Sequence, residues 1–572
     1  MRRFVKIVFL GIALCAGANS SKSVAQNIRI ENLKDQFSWK NMAKMNGGLS
    51  LNGVYLQAGD TGVNPFTWVL SANLNGTLFG MVNLPITFTL NNLSHSYTYP
   101  HPPERFSMHP SYKWVTAHIG DVSMTLSPYT MSGFMFTGGG IELNPPNSPM
   151  SVAAGYGRMV KATEYNPDNL QNVPAFRRMG GGAKIGYKMN KLSIGGSLFA
   201  AKDDPYSLLQ IIPKELNIVP QNNIAWSVNT TASLIKHLSL SAEYGMSLLA
   251  TNTTANNTDA LSAASNAKTV YDALNMKLSY QLQKNTFGIG YERIDPQYHS
   301  LGGYFFTNDL ENLTFNFARP FLKDRMTFST NIGVQQDDLD NHNKDKTQRL
   351  VGAINMGFAQ ERFNTALSYS NFQSYTNKKD QFAYINQTTD YENLDTLNFR
   401  QLSQNAMVML GYTLSDSKER KQTVSVNLNF QETANPKENE ARSDVAMQTY
   451  NVQTAYNVVM EAIHTQLSAA FNVSYSDAQS LQTLQIGPLL TLSRFFFDKT
   501  LQTTMLVSYN NSTNNGISTG AIVNARLNTA YTLKKRNRFL LSLSEQLRNI
   551  PQNDTTKKRN IFSVSFTYSV AF

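Results

Sequence analysis

The sequence is poor in cysteine, in charge and in long apolar runs. Its 572 residues include one cysteine, Cys15, and only 16% are charged. Cys15 lies in the amino-terminal segment, so removal of that segment leaves no disulfide to stabilise an exported chain. Mean hydropathy is −0.31, and no later run approaches the ~18 apolar residues of a transmembrane helix. A strand-based membrane protein remains open, because its lipid-facing and lumen-facing residues alternate.

The amino-terminus has the pattern of a processed export signal. A basic start precedes the apolar stretch 7–18, and Ser23-Val24-Ala25 fits a small-x-small cleavage site. This pattern predicts a signal peptide at residues 1–25. Leu14 stands where a lipobox needs a small residue before Cys15, which argues against lipidation.

The charge balance excludes one class of partner. Removing the signal takes away four cations and no acid, so the net charge falls from +11 to +7. The basic residues are scattered or sit in turns, without the aromatic-interleaved basic face that nucleic acid requires. We therefore expect no nucleic-acid partner, and expect the positive charge to meet anionic lipid or lipopolysaccharide groups.

The last eleven residues, 562–572, alternate strictly between apolar and small or polar side chains. This period of two predicts a β-strand. So apolar a strand would aggregate at an exposed sheet edge, whereas closing a barrel removes that edge and lipid accepts the apolar face. The barrel-closing strand is therefore predicted to carry Phe562, Val564, Phe566, Tyr568, Val570 and Phe572 on its outer face.

Further alternating segments are joined by connections whose lengths also alternate. Short turns are predicted near 188–191, 236–237, 283–286, 321–325, 360–363, 459–463, 497–500 and 534–538. Long polar loops are predicted near 163–175, 203–221, 252–267, 296–311, 337–346, 377–397, 432–444 and 511–517. This asymmetry is typical of outer-membrane barrels. We predict an all-β fold: a large transmembrane antiparallel up-and-down β-barrel of about 22–26 strands, with short periplasmic turns and long extracellular loops.

Two glycine triplets, 138–140 and 180–182, lie in strand-like contexts. They favour a device for sheet curvature, with close approach of an inner segment as the alternative. In the second strand, Arg178 and Lys184 share a phase with Gly180 and Gly182, which should face the lumen. Together with Arg158 and Lys161 on the preceding hairpin, these cations could make a pore anion-selective, or could simply be solvated lumen charge.

Other clusters give weaker indications. The histidines His95, His101, His109 and His118 match no metal-ligand spacing. The acidic run 337–345 has oxygen ligands for calcium but lacks the glycine and terminal glutamate of an EF-hand loop. No G-x-S-x-G nucleophile elbow occurs. We predict no metal, no cofactor and no enzymatic activity.

The stretches 121–158 and 174–187 resemble the barrels of Bacteroides-type outer membranes, a resemblance of general type that assigns no activity. Alternating strand-like sequence begins near Gly48, which predicts a short periplasmic segment, 26–47, followed by a transmembrane barrel, 48–572. TonB-dependent transporters have barrels of similar size with a separate plug. The alternative division is therefore a reduced plug at 26–120 inside a barrel formed by 121–572.

The function expected from these features is a porin-like channel or transport barrel for polar solutes. The alternative is a non-catalytic subunit of an outer-membrane secretion or assembly complex, since long Asn- and Tyr-rich loops could bind other outer-membrane or lipoprotein subunits. Either protein would need the outer-membrane assembly machinery as a partner, and its location would be the outer membrane of a Gram-negative bacterium.

Overall fold

The computed structural model describes most of the chain. The described residues are 43–57, 65–92, 105–167, 173–251, 270–304, 308–336, 339, 348–372, 374–376, 385–387, 400–434, 447–478, 480–552 and 555–572. Apart from Leu339, the acidic run 337–345 lies outside them, as do His95 and His101. Within these ranges, no helix is both long enough and apolar enough to cross a bilayer.

The described residues fold almost entirely as strands. In the first half of the chain these are β1 (Ala43–Gln57), β2 (Phe66–Leu78), β3 (Val82–Asn91), β4 (Arg105–Met108), β5 (Ser111–Tyr112), β6 (Val115–Thr125), β7 (Ser132–Leu143), β8 (Met150–Val160), β9 (Arg177–Lys188), β10 (Leu192–Asp204), β11 (Gln221–Ile235), β12 (Leu238–Thr251), β13 (Val270–Leu282) and β14 (Asn285–Ile294).

The second half continues the same pattern, and two single turns of 3-10 helix, Lys214–Leu216 and Glu461–Ile463, lie in connections. Its strands are β15 (Leu310–Phe321), β16 (Met326–Gln336), β17 (Gln348–Gln360), β18 (Phe363–Ser370), β19 (Ser374–Thr376), β20 (Arg400–Asp416), β21 (Arg420–Ala434), β22 (Met447–Met460), β23 (Thr465–Ala478), β24 (Leu481–Phe496), β25 (Leu501–Asn514), β26 (Ile517–Leu533), β27 (Asn537–Gln552) and β28 (Thr555–Ala571).

The strands close into one ring. Each pairs antiparallel with its neighbours in sequence, and β28 pairs with β1 from Gly48↔Ala571 to Gln57↔Phe562. Segments β4 and β5 both pair with β3 and β6, and β18 and β19 both pair with β20, so each couple is one interrupted strand. The described strands thus form a 26-stranded antiparallel up-and-down barrel, which confirms the predicted fold class.

The two faces of the ring differ in chemistry, as the alternation in the sequence requires. In β28, Ser563 and Ser565 are buried on the inner face, while Phe566 on the outer face is 49% exposed. The same contrast recurs around the ring in a band of exposed outer side chains: Leu51, Ile185, Leu198, Val228, Ile289, Leu313, Phe315, Ile332, Leu428, Phe471, Leu490, Met505, Leu527 and Leu541. This combination of an apolar outer band with hydroxyl and amide groups on the inner face is typical of transmembrane barrels.

Short connections join the strands at one end of the barrel, and aromatic side chains lie beside them. Tyr187, Tyr280 and Tyr531 are exposed next to turns there. The Arg494 guanidinium lies 5.1 Å from the ring centroid of Phe496 at the same end. This placement is that of an interfacial aromatic girdle, in which amphipathic rings lie between lipid and water.

One predicted long loop is wrong. The polar stretch 511–517 was expected to be a loop, but β25 and β26 extend through it and meet at Asn515-Gly516. Both turn residues have positive φ, 48° and 78°. This left-handed pair suits the twist of a two-residue hairpin, for which Asn-Gly is a favoured sequence. The polar residues before the turn occupy both phases of the end of β25.

The seam between β1 and β28 gives a first prediction. Phe566→Arg places a charge on the outer, lipid-facing side of β28, which destabilises a barrel by up to about 2–4 kcal/mol near the bilayer midplane. We expect strong loss of the heat-modifiable form from the membrane fraction. The control is Thr567→Arg, one position along on the lumen side. Equal losses in the two variants would contradict the assignment of the faces.

Candidate functional site

A hairpin from the wall is folded into the lumen. The pairing of β4 with β6 ends at Ser107↔Gly120, and that of β7 with β8 ends at Thr137↔Arg158. Residues 121–136, which we name the inner hairpin, therefore have their ladder hydrogen bonds with each other. The chain leaves the barrel wall at Gly120, where the backbone φ of 96° favours glycine. This departure directs the hairpin away from the ring.

The inner hairpin packs against the wall on an apolar face. Its side chains Val122, Met124, Leu126, Phe134 and Phe136 are at most 5% exposed. They form one cluster with inner-face residues of β10 and β11: Phe199, Ala201 and Ala225. Burying several large apolar side chains is worth roughly 1.5–3 kcal/mol each, which is enough to hold a hairpin in a polar lumen.

Glycines in the wall make room for this hairpin. A Cβ built on Gly155 would lie 2.7 Å from the Met124 sulfur, and one on Gly182 would lie 2.6 Å from Leu126 Cδ1. A Cβ on Gly245 would lie 2.5 Å from the Tyr129 Cβ. In the second glycine triplet, an inner segment therefore packs closely on Gly182. The sequence favoured a device for sheet curvature at this triplet and gave close packing of an inner segment only as the alternative.

A second segment, residues 295–304 between β14 and β15, lies on the hairpin; we name it the inner loop. The Tyr298 hydroxyl donates to the Tyr129 carbonyl oxygen at 2.6 Å, and the Ser300 hydroxyl donates to the Thr130 carbonyl oxygen at 2.5 Å. Met131 and Gly302 form a parallel bridge. Tyr298 is fully buried, so its loss would leave a buried carbonyl without its donor.

Polar side chains of the wall bond the two segments. The hydroxyls of Thr130 and Ser197 lie 2.9 Å apart, and Ser247 Oγ donates to the His299 carbonyl oxygen at 2.6 Å. Ser127 Oγ donates to a carboxylate oxygen of Glu243. Inner hairpin and inner loop thus form one plug, docked on the inner face from β8 to β14.

Burial strongly shifts the pKa values of Tyr129, Tyr298 and His299 in the plug. Burial raises the pKa of Tyr298 well above its ordinary range, and the nearby Tyr129 and Glu243 reinforce the effect. Its hydroxyl therefore stays protonated and remains a donor. Burial, with a smaller effect of the Arg178 charge, lowers the pKa of His299 to about 4, so this imidazole is neutral at pH 7.

A loop on the other side of the barrel also reaches the wall. Asn386 Oδ1 accepts from Asn510 Nδ2 at 2.7 Å and from Asn524 Nδ2 at 2.8 Å. Its carbonyl oxygen accepts from Gln546 Nε2 at 2.8 Å. These three donors come from the inner faces of β25, β26 and β27. The sequence shows only a polar loop and polar strands here, so it gave no signal for this contact.

The four predicted lumen cations are not brought together. Lys184 lies on the inner face opposite Ser197. Arg178 is also on the inner face, but it is paired in two contacts, 2.7 and 3.0 Å, with the buried carboxylate of Asp203. Arg158 is exposed on the opposite phase from the inner-facing Gly157, and Lys161 is exposed beyond the end of β8. The structure thus places two of the four outside the inner face.

The plug leaves a cleft beside the seam, which we name the seam cleft. It has a volume of about 650 Å³. One side is the lumen face of the inner hairpin, with Asp121 and Met135. The other side is the inner wall near the chain ends, with the cations Arg105, Lys535, Arg536 and Arg538 and the hydroxyl groups of Ser50, Ser71, Thr87, Thr89, Ser107, Thr532 and Ser569.

Two of the four clustered histidines meet. The Nδ1 atoms of His109 and His118 lie 2.8 Å apart, and His118 Nε2 is 3.4 Å from a carboxylate oxygen of Glu142. Over the described residues, however, no set of three or more His, Cys, Asp or Glu side chains is arranged to hold a metal ion.

No family model and no curated protein matches this chain. Solved structures with similar folds include the FrpB iron transporter from Neisseria meningitidis (F5-1 variant), at 8% identity and a TM-score of 0.39, covering 92% of this chain and 82% of that one. OccD1 (OprD) has 10% identity, a TM-score of 0.29 and coverages of 92% and 96%. The P pilus usher (PapC) translocation pore has 10% identity, a TM-score of 0.35 and coverages of 92% and 99%.

The chain is a large closed β-barrel resembling outer-membrane porins and receptors. Its closed ring and its two chemically distinct faces carry this resemblance.

The docking of the plug can be tested at Gly245. A Gly245→Ala methyl would collide with the Cβ of Tyr129, so we expect the hairpin to shift and the amides of 126–131 to exchange hydrogen at least tenfold faster. The control is Gly290→Ala, an inner-face position whose added methyl would meet the movable Thr314 hydroxyl at 2.7 Å. Unchanged exchange in the Gly245 variant would show that the hairpin is not held against this wall.

The neutral His299 predicts a pH dependence of docking. Its docked pKa of about 4 lies below the ordinary 6.5, so the docked plug binds fewer protons than the undocked one. The contribution is fully present above pH 6.5 and is lost as pH falls toward 4, by at most about 3 kcal/mol. Amide exchange of the inner loop, compared with His299→Gln at each pH, measures it. The same pH response in both would exclude His299 as its source.

Proposed function

We propose that this chain is an outer-membrane barrel that conducts polar solutes and is not an enzyme. The observation that carries the proposal is the pair of faces on a closed ring: an apolar band outside, and an inner face rich in amides and hydroxyls. Barrels larger than the 16–18 strands of porins are too wide for wall side chains to fill. The docked plug and the seam cleft beside it are consistent with a narrowed passage.

The proposed location and partners follow from the same faces. The outer band would lie in the outer membrane of a Gram-negative, Bacteroides-type bacterium, with the short turns in the periplasm and the long loops outside. Residues 1–25 would be removed as a signal peptide. The net positive charge would favour contact with anionic lipid or lipopolysaccharide, and insertion would require the outer-membrane assembly machinery.

Conductance of the purified protein in planar bilayers tests this function. We expect discrete ion-conducting events from wild type and a several-fold larger conductance from Gly245→Ala, because displacement of the plug widens the passage. Gly290→Ala should conduct as wild type does. A folded, heat-modifiable barrel without current in every variant would contradict the channel.

A second candidate function is supported by one loop. Between β10 and β11, Tyr206, Leu209 and Ile211 are 87%, 96% and 94% exposed. The loop is held in place, since the backbone N–H groups of Leu209 and Gln210 donate to the Glu164 carboxylate at 2.9 and 3.2 Å. Ordered exposed apolar side chains are typical of binding surfaces. They favour a barrel that is a subunit of an outer-membrane complex.

Co-purification separates this second function from the first. If the loop binds another outer-membrane or lipoprotein subunit, a stoichiometric partner should be recovered with wild type and lost from a Leu209→Ser, Ile211→Ser double variant. Tyr280→Ser, on the outer barrel face, is the control for a general loss of apolar surface. Recovery of the same partner with the loop variant would exclude this role for the loop.

A further inference from the structure

The seam cleft has an excess of positive charge. Arg538 lies on the inner face, opposite Ser569 and Thr532 in the two adjoining ladders. It is exposed, as are Lys535 and Arg536 in the preceding turn, and none of these three has an ion pair within the described part of the chain. Their charge is therefore available to a solute in the cleft.

One acid, Asp121, lines the cleft together with these cations. Asp121 Oδ2 accepts from the backbone N–H of Phe106 at 2.9 Å, and Asp121 Oδ1 accepts from the Thr137 hydroxyl at 2.7 Å. These bonds hold the carboxylate at the point where the inner hairpin leaves the wall. Asp121 keeps its negative charge and attracts Arg105 electrostatically. One acid among four cations still leaves a positive electrostatic potential in the cleft.

The other polar groups of the cleft are mostly hydroxyls. Those of Thr87 and Ser107 lie 2.6 Å apart, and those of Ser50 and Ser569 lie 2.9 Å apart. Hydroxyls both donate and accept, so they suit the alternating hydroxyls of a polyol. A guanidinium suits a carboxylate or phosphate, which it can bind with two parallel hydrogen bonds.

We propose that the seam cleft is a binding site for small polyhydroxylated anions, such as sugars that carry a carboxylate or phosphate group. The proposal rests on the proposed channel function and identifies its substrate class and path. Solutes pass between the plug and the seam wall, and Arg538 is the inner-face cation that attracts and orients the anionic group. The site differs from the cations predicted in the sequence, of which Arg178 is neutralised and Arg158 lies outside.

The test compares two arginines on opposite faces of the barrel. Reversal potentials across a KCl gradient should show anion preference in wild type and in Arg158→Gln, and a reduced preference in Arg538→Gln. Glucuronate should block the current more strongly than glucose, and Arg538→Gln should weaken that block roughly tenfold, as expected for a charged hydrogen bond. Cation preference in wild type, or equal effects of the two substitutions, would overturn the proposal.

A separate measurement distinguishes this proposal from the channel itself. If no variant conducts, binding of glucuronate and glucose to the folded barrel can be followed by saturation-transfer NMR. Binding of glucuronate that is lost in Arg538→Gln and retained in Arg158→Gln would support the cleft as a site while refuting the channel. Equal binding of both sugars, or binding unaffected by Arg538→Gln, would refute the site.

Discussion

The structure depends on the pairing of every wall strand on both sides. In hydrocarbon, an unpaired backbone N–H or C=O group costs several kcal/mol, so the ring must close through β1 and β28. At the seam, Gly47 and Phe572 exchange backbone hydrogen bonds of 2.9 and 3.0 Å. Closure fixes which residues face lipid, and it encloses a lumen too wide for wall side chains to fill. The plug fills part of this lumen.

The plug uses the same period of two as the wall but reverses its environment. In the inner hairpin, Val122 and Phe136 face the barrel wall, whereas in the outer band Leu198 and Ile289 are exposed on the outside of the barrel. An apolar strand face in this fold therefore lies either on the outside of the barrel or against its inner wall. Small wall residues make the inner position possible. The glycines at 155, 182 and 245 leave space for an internal segment that larger side chains would exclude.

The fold was predictable because alternation and turn length are local properties. The outer face of β28 and the range of about 22–26 strands, which includes the observed 26, follow from them. The plug was not, because 121–136 alternates like any other strand pair, and only its contacts with distant glycines distinguish it. Long-range pairing also explains the cations: Arg178 is neutralised by Asp203 on the next strand, and the phase of Arg158 is set by the Gly157 that packs under Phe136. At Asn515-Gly516 a local signal was present but was not used. Asn-Gly is a favoured two-residue turn, but the polar residues beside it led to the prediction of a loop where two long strands meet.

The inner hairpin and inner loop also differ from the seam in how far apart along the chain their contacts lie. Their mutual contacts join residues 169 and 170 positions apart, whereas the seam hydroxyls of Ser50 and Ser569 are 519 positions apart. Closing a longer loop costs more chain entropy, and contacts of high sequence separation form late. The apolar core of the amino-terminal half can therefore form at a lower entropy cost than the seam, and without the carboxy-terminal strands. The core would then act as an internal template whose curvature guides the remaining strands to the first one.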